Sequence, residues 1–164
     1  MRHRLALIAA ACVLPGAALP DPATLQSVYE CRAGLDASRE AIADLPVVNE
    51  VDEGEPPQRV LKRYFEPPAD LRVFGLTPAS IGIGESFDPD YRRVMLVTIV
   101  AEPFEAAEAA LLSAHGLSTC PRRLAMERSC IIFSHDDKPY QPRLMVADTG
   151  NGIAVACAYT REEN

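Results

Sequence analysis

The chain has little of what cofactor binding or covalent catalysis requires. Its 164 residues carry nine glycines, and none builds a phosphate cradle. Gly82-Ile83-Gly84 stands inside a strand pattern, and Gly150-Asn151-Gly152 precedes a strand instead of a helix whose N-terminus would meet an anion. No serine occupies a Gly-x-Ser-x-Gly elbow, and Ser134-His135-Asp136 is no triad by adjacency, because a triad needs side chains that converge from a fold. The longest early apolar run, Leu5 to Leu14, is half of the ~20 residues that cross a bilayer. Cations are outnumbered, 16 Lys and Arg against 23 Asp and Glu, so the net charge of -7 argues against a nucleic-acid footprint.

What is present begins with an export signal. Arg2 and Arg4 precede the apolar run, Pro15 and Gly16 break it, and Ala17 and Ala18 follow. That is a charged region, a short apolar region and a small-residue cleavage zone, which a peptidase is expected to cut after Ala18. Residues 1-18 are read as a cleaved signal peptide and 19-164 as a single domain, with no transmembrane anchor in the mature chain. The expected location is the periplasm or the exterior. An alternative takes Ala9-Ala10-Ala11-Cys12 as a lipidation box with Cys12 as the acylated first residue, although Ala9 stands where a larger aliphatic is usual.

Export sets the redox chemistry. Once Cys12 leaves with the leader, Cys31, Cys120, Cys130 and Cys157 remain, an even number in a compartment that oxidises thiols. Two disulfides are expected: Cys120-Cys130 closing a short local loop, and Cys31-Cys157 tying the N-terminal helix to the last strand. The competing reading is a zinc site of His115, Cys120, Cys130 and His135. Its spacing is wrong for the usual knuckles, whose paired ligands lie two to four residues apart on a turn.

Along the chain, Leu25, Val28, Tyr29, Cys31, Leu35, Ile42 and Leu45 recur at helical spacing from Asp21-Pro22 to Pro46, with Gly34 bending the helix. Residues 49-57, NEVDEGEPP, have no period and read as a solvated acidic loop. Val60 and Arg63 to Phe65 suggest an edge strand, Leu71 to Leu76 another strand, and Ala79 to Gly84 a third. Arg93 to Ala101, apolar on both faces, suggests a central buried strand. Pro103 to His115 reads as a second helix stopped by Gly116. Ser129 to Ser134, Arg143 to Ala147 and Ile153 to Thr160 follow as strands, the last two joined by a glycine-rich hairpin. The expected architecture is α+β: two helical segments packed on a mainly antiparallel sheet, stapled by disulfides.

Chemistry is sparse in this frame. Glu50, Asp52, Glu53 and Glu55, or Asp88 and Asp90, offer carboxylates without the alternating pattern of a calcium loop. The mixed loop Ser134 to Gln141 is the candidate binding or metal loop, through His135, Asp136 and Asp137. No catalytic residue, resident metal or cofactor is assigned. The sequence points to a nonenzymatic binding or accessory protein of the cell envelope, whose partner is a protein or small molecule. The alternatives are a small hydrolase or metal-dependent enzyme centred on His135-Asp136-Asp137, and a secreted inhibitor.

Overall fold

A computed structural model describes residues 20–55, 57–87, 91–125, 128–134 and 141–162. The N-terminal helical pattern is split in two, α1 (Pro22–Tyr29) and α2 (Leu35–Ile42). Pro22 suits the first turn of α1, where its missing N–H has no partner to lose. The break comes three residues before Gly34. Cys31 adopts a left-handed φ of 59°, its N–H reaches Val28 O at 3.3 Å, and Arg32 N–H reaches Ser27 O at 2.9 Å. That is the Schellman pattern, with Cys31 in the position usually given to glycine.

The acidic segment expected as a loop over 49-57 is instead a strand for most of its length. Strand β1 (Val47–Glu53) pairs antiparallel with β2 (Arg59–Phe65). Its acids are held by cross-strand cations: Asp52 takes two bonds from Arg59, at 2.8 and 2.5 Å, Glu53 pairs with Lys62 at 2.6 Å, and Glu50 with Arg63 at 3.1 Å. Charge complementarity across the pair, which no period within the segment reveals, supplies the strand. The Arg59 bonds hold the Asp52 carboxyl below its ordinary range. Because β1 lies outside it, β2 is not the edge strand that the sequence suggested.

Strands β3 (Pro78–Phe87), β4 (Tyr91–Val100), β5 (Ser129–Ser134), β6 (Gln141–Asp148) and β7 (Ile153–Glu162) complete a seven-stranded antiparallel sheet of order β1-β2-β3-β4-β7-β6-β5. Strand β4 is central. Its burial alternates, with Val94, Leu96, Thr98 and Val100 buried and Met95, Val97 and Ile99 half-buried, so its two apolar faces are not equally enclosed. Leu71 to Leu76 is no strand of the sheet. Val73 and Leu76 bond each other's backbone at 3.0 and 3.1 Å around Phe74 and Gly75, both at positive φ. Two successive positive φ values define a tight mirror-image turn.

The connectivity has two similar halves. Helices α1 and α2 precede the meander β1 to β4, helix α3 (Phe104–Ala114) precedes the meander β5 to β7, and the final strands β4 and β7 pair at the centre. Each half has its own cluster of buried residues. Leu25, Val28 and Tyr29 cluster with Ile81, Leu96 and Tyr159 in the first, and Phe104, Ala107 and Leu111 with Val100, Val146 and Val155 in the second. Cys31 and Phe74 pack against both. Two disulfides staple the domain, Cys31–Cys157 with Cα atoms 5.4 Å apart and Cys120–Cys130 at 5.7 Å. Among the described residues no helix is long and apolar enough to cross a membrane.

Candidate functional site

The residues singled out from sequence are not brought into one site. His135, Asp136 and Asp137, Asp88 and Asp90, and the leader with Cys12 lie outside the described residues. Glu50, Asp52 and Glu53 are committed to cross-strand ion pairs instead of gathering around an ion. Cys120 and Cys130 share a disulfide, and Glu108 places a carboxylate oxygen within 4.8 Å of both sulfurs. A disulfide has no thiolate to give a metal, and Glu108 is held by Arg123 at 2.9 Å. His115 stands away from this pair. Its ring lies 5.8 Å from that of Phe74 and 5.2 Å from that of Phe133.

Those contacts lead to a cleft of about 310 Å³ where the two halves meet, lined by Gln26, Glu30 and Arg32 at the end of α1, Phe74 and Gly75 in the tight turn, and Ala114 and His115 at the end of α3. Its floor is Glu30, a residue only 6% exposed. Burying a carboxylate is costly unless charge and hydrogen bonds meet it, and here both do. Oε1 accepts the Phe74 backbone N–H at 2.6 Å and the Gln26 amide at 2.9 Å, while Oε2 pairs with Arg32 at 2.5 Å. Glu30 thereby clamps the Phe74 turn against α1.

The clamp holds strain. Cys31 and Phe74 are the two non-glycine residues at positive φ among those described, at 59° and 54°. Each costs of order 1–2 kcal/mol relative to ordinary backbone. One is fixed by the disulfide to Cys157, the other by the bond to Glu30, and they meet at the seam between the clusters. Such conformations persist only where their surroundings over-determine them, and they concentrate at ligand clamps and functional sites.

The rim has a definite chemistry. The Arg32 side chain is 59% exposed, His115 is exposed, and Phe74 is half-buried, so a cation, an imidazole and an aromatic face surround the opening. Glu30 has its oxygens committed and makes a poor proton acceptor. The lining holds no serine, cysteine, lysine or second carboxylate that would serve as a nucleophile or partner base. The arrangement suits recognition better than bond breaking.

Sequence reasoning missed Glu30, Arg32 and Phe74, and placed His115 only in the zinc alternative. The available signal was the non-glycine Cys31 at a helix stop, beside a charged pair that the helical period leaves unexplained. Phe74-Gly75 was seen only as an interruption of a strand. No family model matches the chain, and neither a curated protein nor a solved structure matches it.

Proposed function

We propose that this chain is an exported, nonenzymatic binding protein of the cell envelope whose ligand site is the cleft between its two halves. In this reading the leader is removed, the three helices form one layer on one face of the sheet, and the cleft opens where α1 and α3 approach each other. The ligand is a group that joins a carboxylate to an apolar or aromatic body, as a peptide C-terminus does. Arg32 and His115 meet the carboxylate, and the Phe74 ring receives the apolar part. The cleft volume of about 310 Å³ lies at the small end of ligand sites, which run from about 300 to 1,000 Å³. It accommodates one side chain and a terminus, not a whole cofactor.

The observation that carries the reading is the pairing of strain with a buried anchor. Two left-handed non-glycine residues flank a buried carboxylate whose bonds fix the turn at the cleft mouth. A turn serving only to connect β2 to β3 would be relieved by glycine at 74, and its ring would need no such clamp. Two-dimensional NMR of the mature protein titrated with N-acetyl-phenylalanine tests this. Saturable amide shifts at Arg32, Gly75 and His115, lost in Arg32→Ala and His115→Ala, are expected. A lack of saturable shifts at these positions, or shifts that both variants retain, would overturn it.

A further inference from the structure

The face of the sheet opposite the two core clusters is corrugated. Met95, Val97 and Ile99 of β4 are half-buried and belong to neither cluster. They form a ridge down the middle of the sheet. On one side the register sets Gly84, Gly82 and Ser80 of β3 against them, and on the other Ala158, Ala156 and Ala154 of β7. Beyond these shallow troughs the face rises again at Tyr64 of β2 and Met145 of β6, both half-buried. Strands lie about 4.8 Å apart, so the β4 ridge and the β6 wall bracket a trough roughly 10 Å wide over β7.

That relief is self-complementary. A two-fold axis parallel to the strands and midway between β4 and β7 exchanges the positions of these strands across the interface. The ridge of one copy is then set over the β7 trough of the other, and the reverse. We propose that two copies of the protein pack through this face as an aligned β-sandwich, each inserting Met95, Val97 and Ile99 into the alanine-floored trough of its partner. Sheets packed this way sit about 10 Å apart and cross at about 30°. The small residues set the trough depth, and the ridge supplies the apolar side chains that fill it.

Area decides the strength. Each outward position covers roughly 33 Å², from ~4.8 Å between strands and ~6.8 Å between successive outward residues. The twelve neutral positions on β2, β3, β4, β7 and β6, namely Tyr64, three on each of β3, β4 and β7, and Met145 with Ala147, give about 800 Å² over two copies. The flanking row raises this to about 1,100 Å², at the low end for a specific interface, so the dimer is reversible and of micromolar strength. Lys62 and Arg143 lie in the same cross-strand row as Gly84, Met95 and Ala158. The axis brings Arg143 of one copy over β3 of the other, next to Lys62 of that copy. Like charges therefore approach at one end, and salt strengthens the dimer by screening them. An acidic partner on the same face would show the opposite salt dependence.

The cleft is lined by the helix ends and the Phe74 turn, so dimerisation and ligand binding are separable. The test is sedimentation of the mature protein from 1 to 500 µM, at low and high salt, with Val97→Arg and Ala156→Arg as variants. A reversible dimer that tightens with salt, and at least tenfold weakening in each variant that retains two disulfides and its far-UV spectrum, is expected. Should one variant fail to fold, the other and the salt series still decide. A wild-type monomer throughout, a dimer that salt weakens, or a dimer indifferent to a folded variant would overturn the proposal.

Discussion

Breaking the two disulfides separately should cost different amounts, and the structure sets the difference. Cys31–Cys157 spans 126 positions of sequence and Cys120–Cys130 spans ten. The chain-entropy relation gives about 5 kcal/mol for the long closure and about 2.7 kcal/mol for the short one. Replacing each pair with alanine keeps the comparison fair: Cys157 and Cys130 are both fully buried, and Cys31 and Cys120 are both half-buried, so the lost sulfur contacts nearly cancel. The predicted gap is about 2 kcal/mol. In urea, with a slope near 2 kcal/mol/M, the midpoint should fall by about 2.5 M without Cys31–Cys157 and by about 1.3 M without Cys120–Cys130. A further arm isolates the backbone: Cys31→Gly with Cys157→Ala should recover about 1 kcal/mol over the double alanine variant, since glycine adopts the left-handed φ at 31 without the Cβ penalty. Far-UV circular dichroism under nonreducing conditions reads each midpoint. Equal losses, or a larger loss from the short loop, would refute the assignment of the long bridge as the main staple, and no recovery with glycine would refute strain at Cys31.

Other outcomes follow from single side chains. Tyr29 is 1% exposed and its hydroxyl has no hydrogen-bond partner, so Tyr29→Phe should leave stability unchanged or raise it by up to about 1 kcal/mol, as urea melts would report. Burial pushes the Tyr29 hydroxyl well above its ordinary value, and does the same to Tyr159. The unfolded chain then loses these protons first, near pH 10, so stability should fall as pH rises above about 10, and less steeply in Tyr29→Phe. Glu30→Gln removes the Arg32 partner and weakens the acceptor for Phe74 N–H; a loss of about 1–3 kcal/mol is expected, with changed amide shifts at Phe74 and Gly75. At Gly82 an added Cβ would sit 2.7 Å from Arg63 O and 3.1 Å from the Tyr64 ring, so Gly82→Ala should destabilise by about 1–3 kcal/mol, and an unchanged melt would contradict the close β2–β3 approach.

Elements that depend on local pattern were legible in the sequence. Helix α3 carries Pro103 before it and Gly116 after it, with Phe104, Ala107 and Leu111 on one stripe, and the β6–β7 hairpin has glycines at positive φ, Gly150 and Gly152. The evenness of the cysteine count made a two-bridge framework readable before any coordinate. What escaped depends on contacts between distant segments. Strand β1 looks like a solvated acidic stretch because its stabilising charges, Arg59, Lys62 and Arg63, lie on the neighbouring strand. The long helix was expected to bend at Gly34, yet it stops at Cys31, where the bridge to Cys157 over-determines a conformation that glycine usually takes. The cleft is assembled from three segments about forty residues apart, and no spacing rule connects Glu30, Phe74 and His115. The sheet face was half legible: the apolar run of β4 was seen, but its unequal enclosure follows from which face the core clusters take.

The account rests on export making four cysteines a framework instead of a set of reactive or metal-binding thiols. Intact mass of the protein recovered from its native compartment, with and without alkylation under denaturing, nonreducing conditions, tests this most directly. The account predicts a chain beginning at Leu19, four hydrogens lighter than its reduced form and taking up no alkylating agent. A chain that keeps its leader, one that begins at a lipid-bearing Cys12, or one that alkylates at Cys31, Cys120, Cys130 or Cys157 would contradict it.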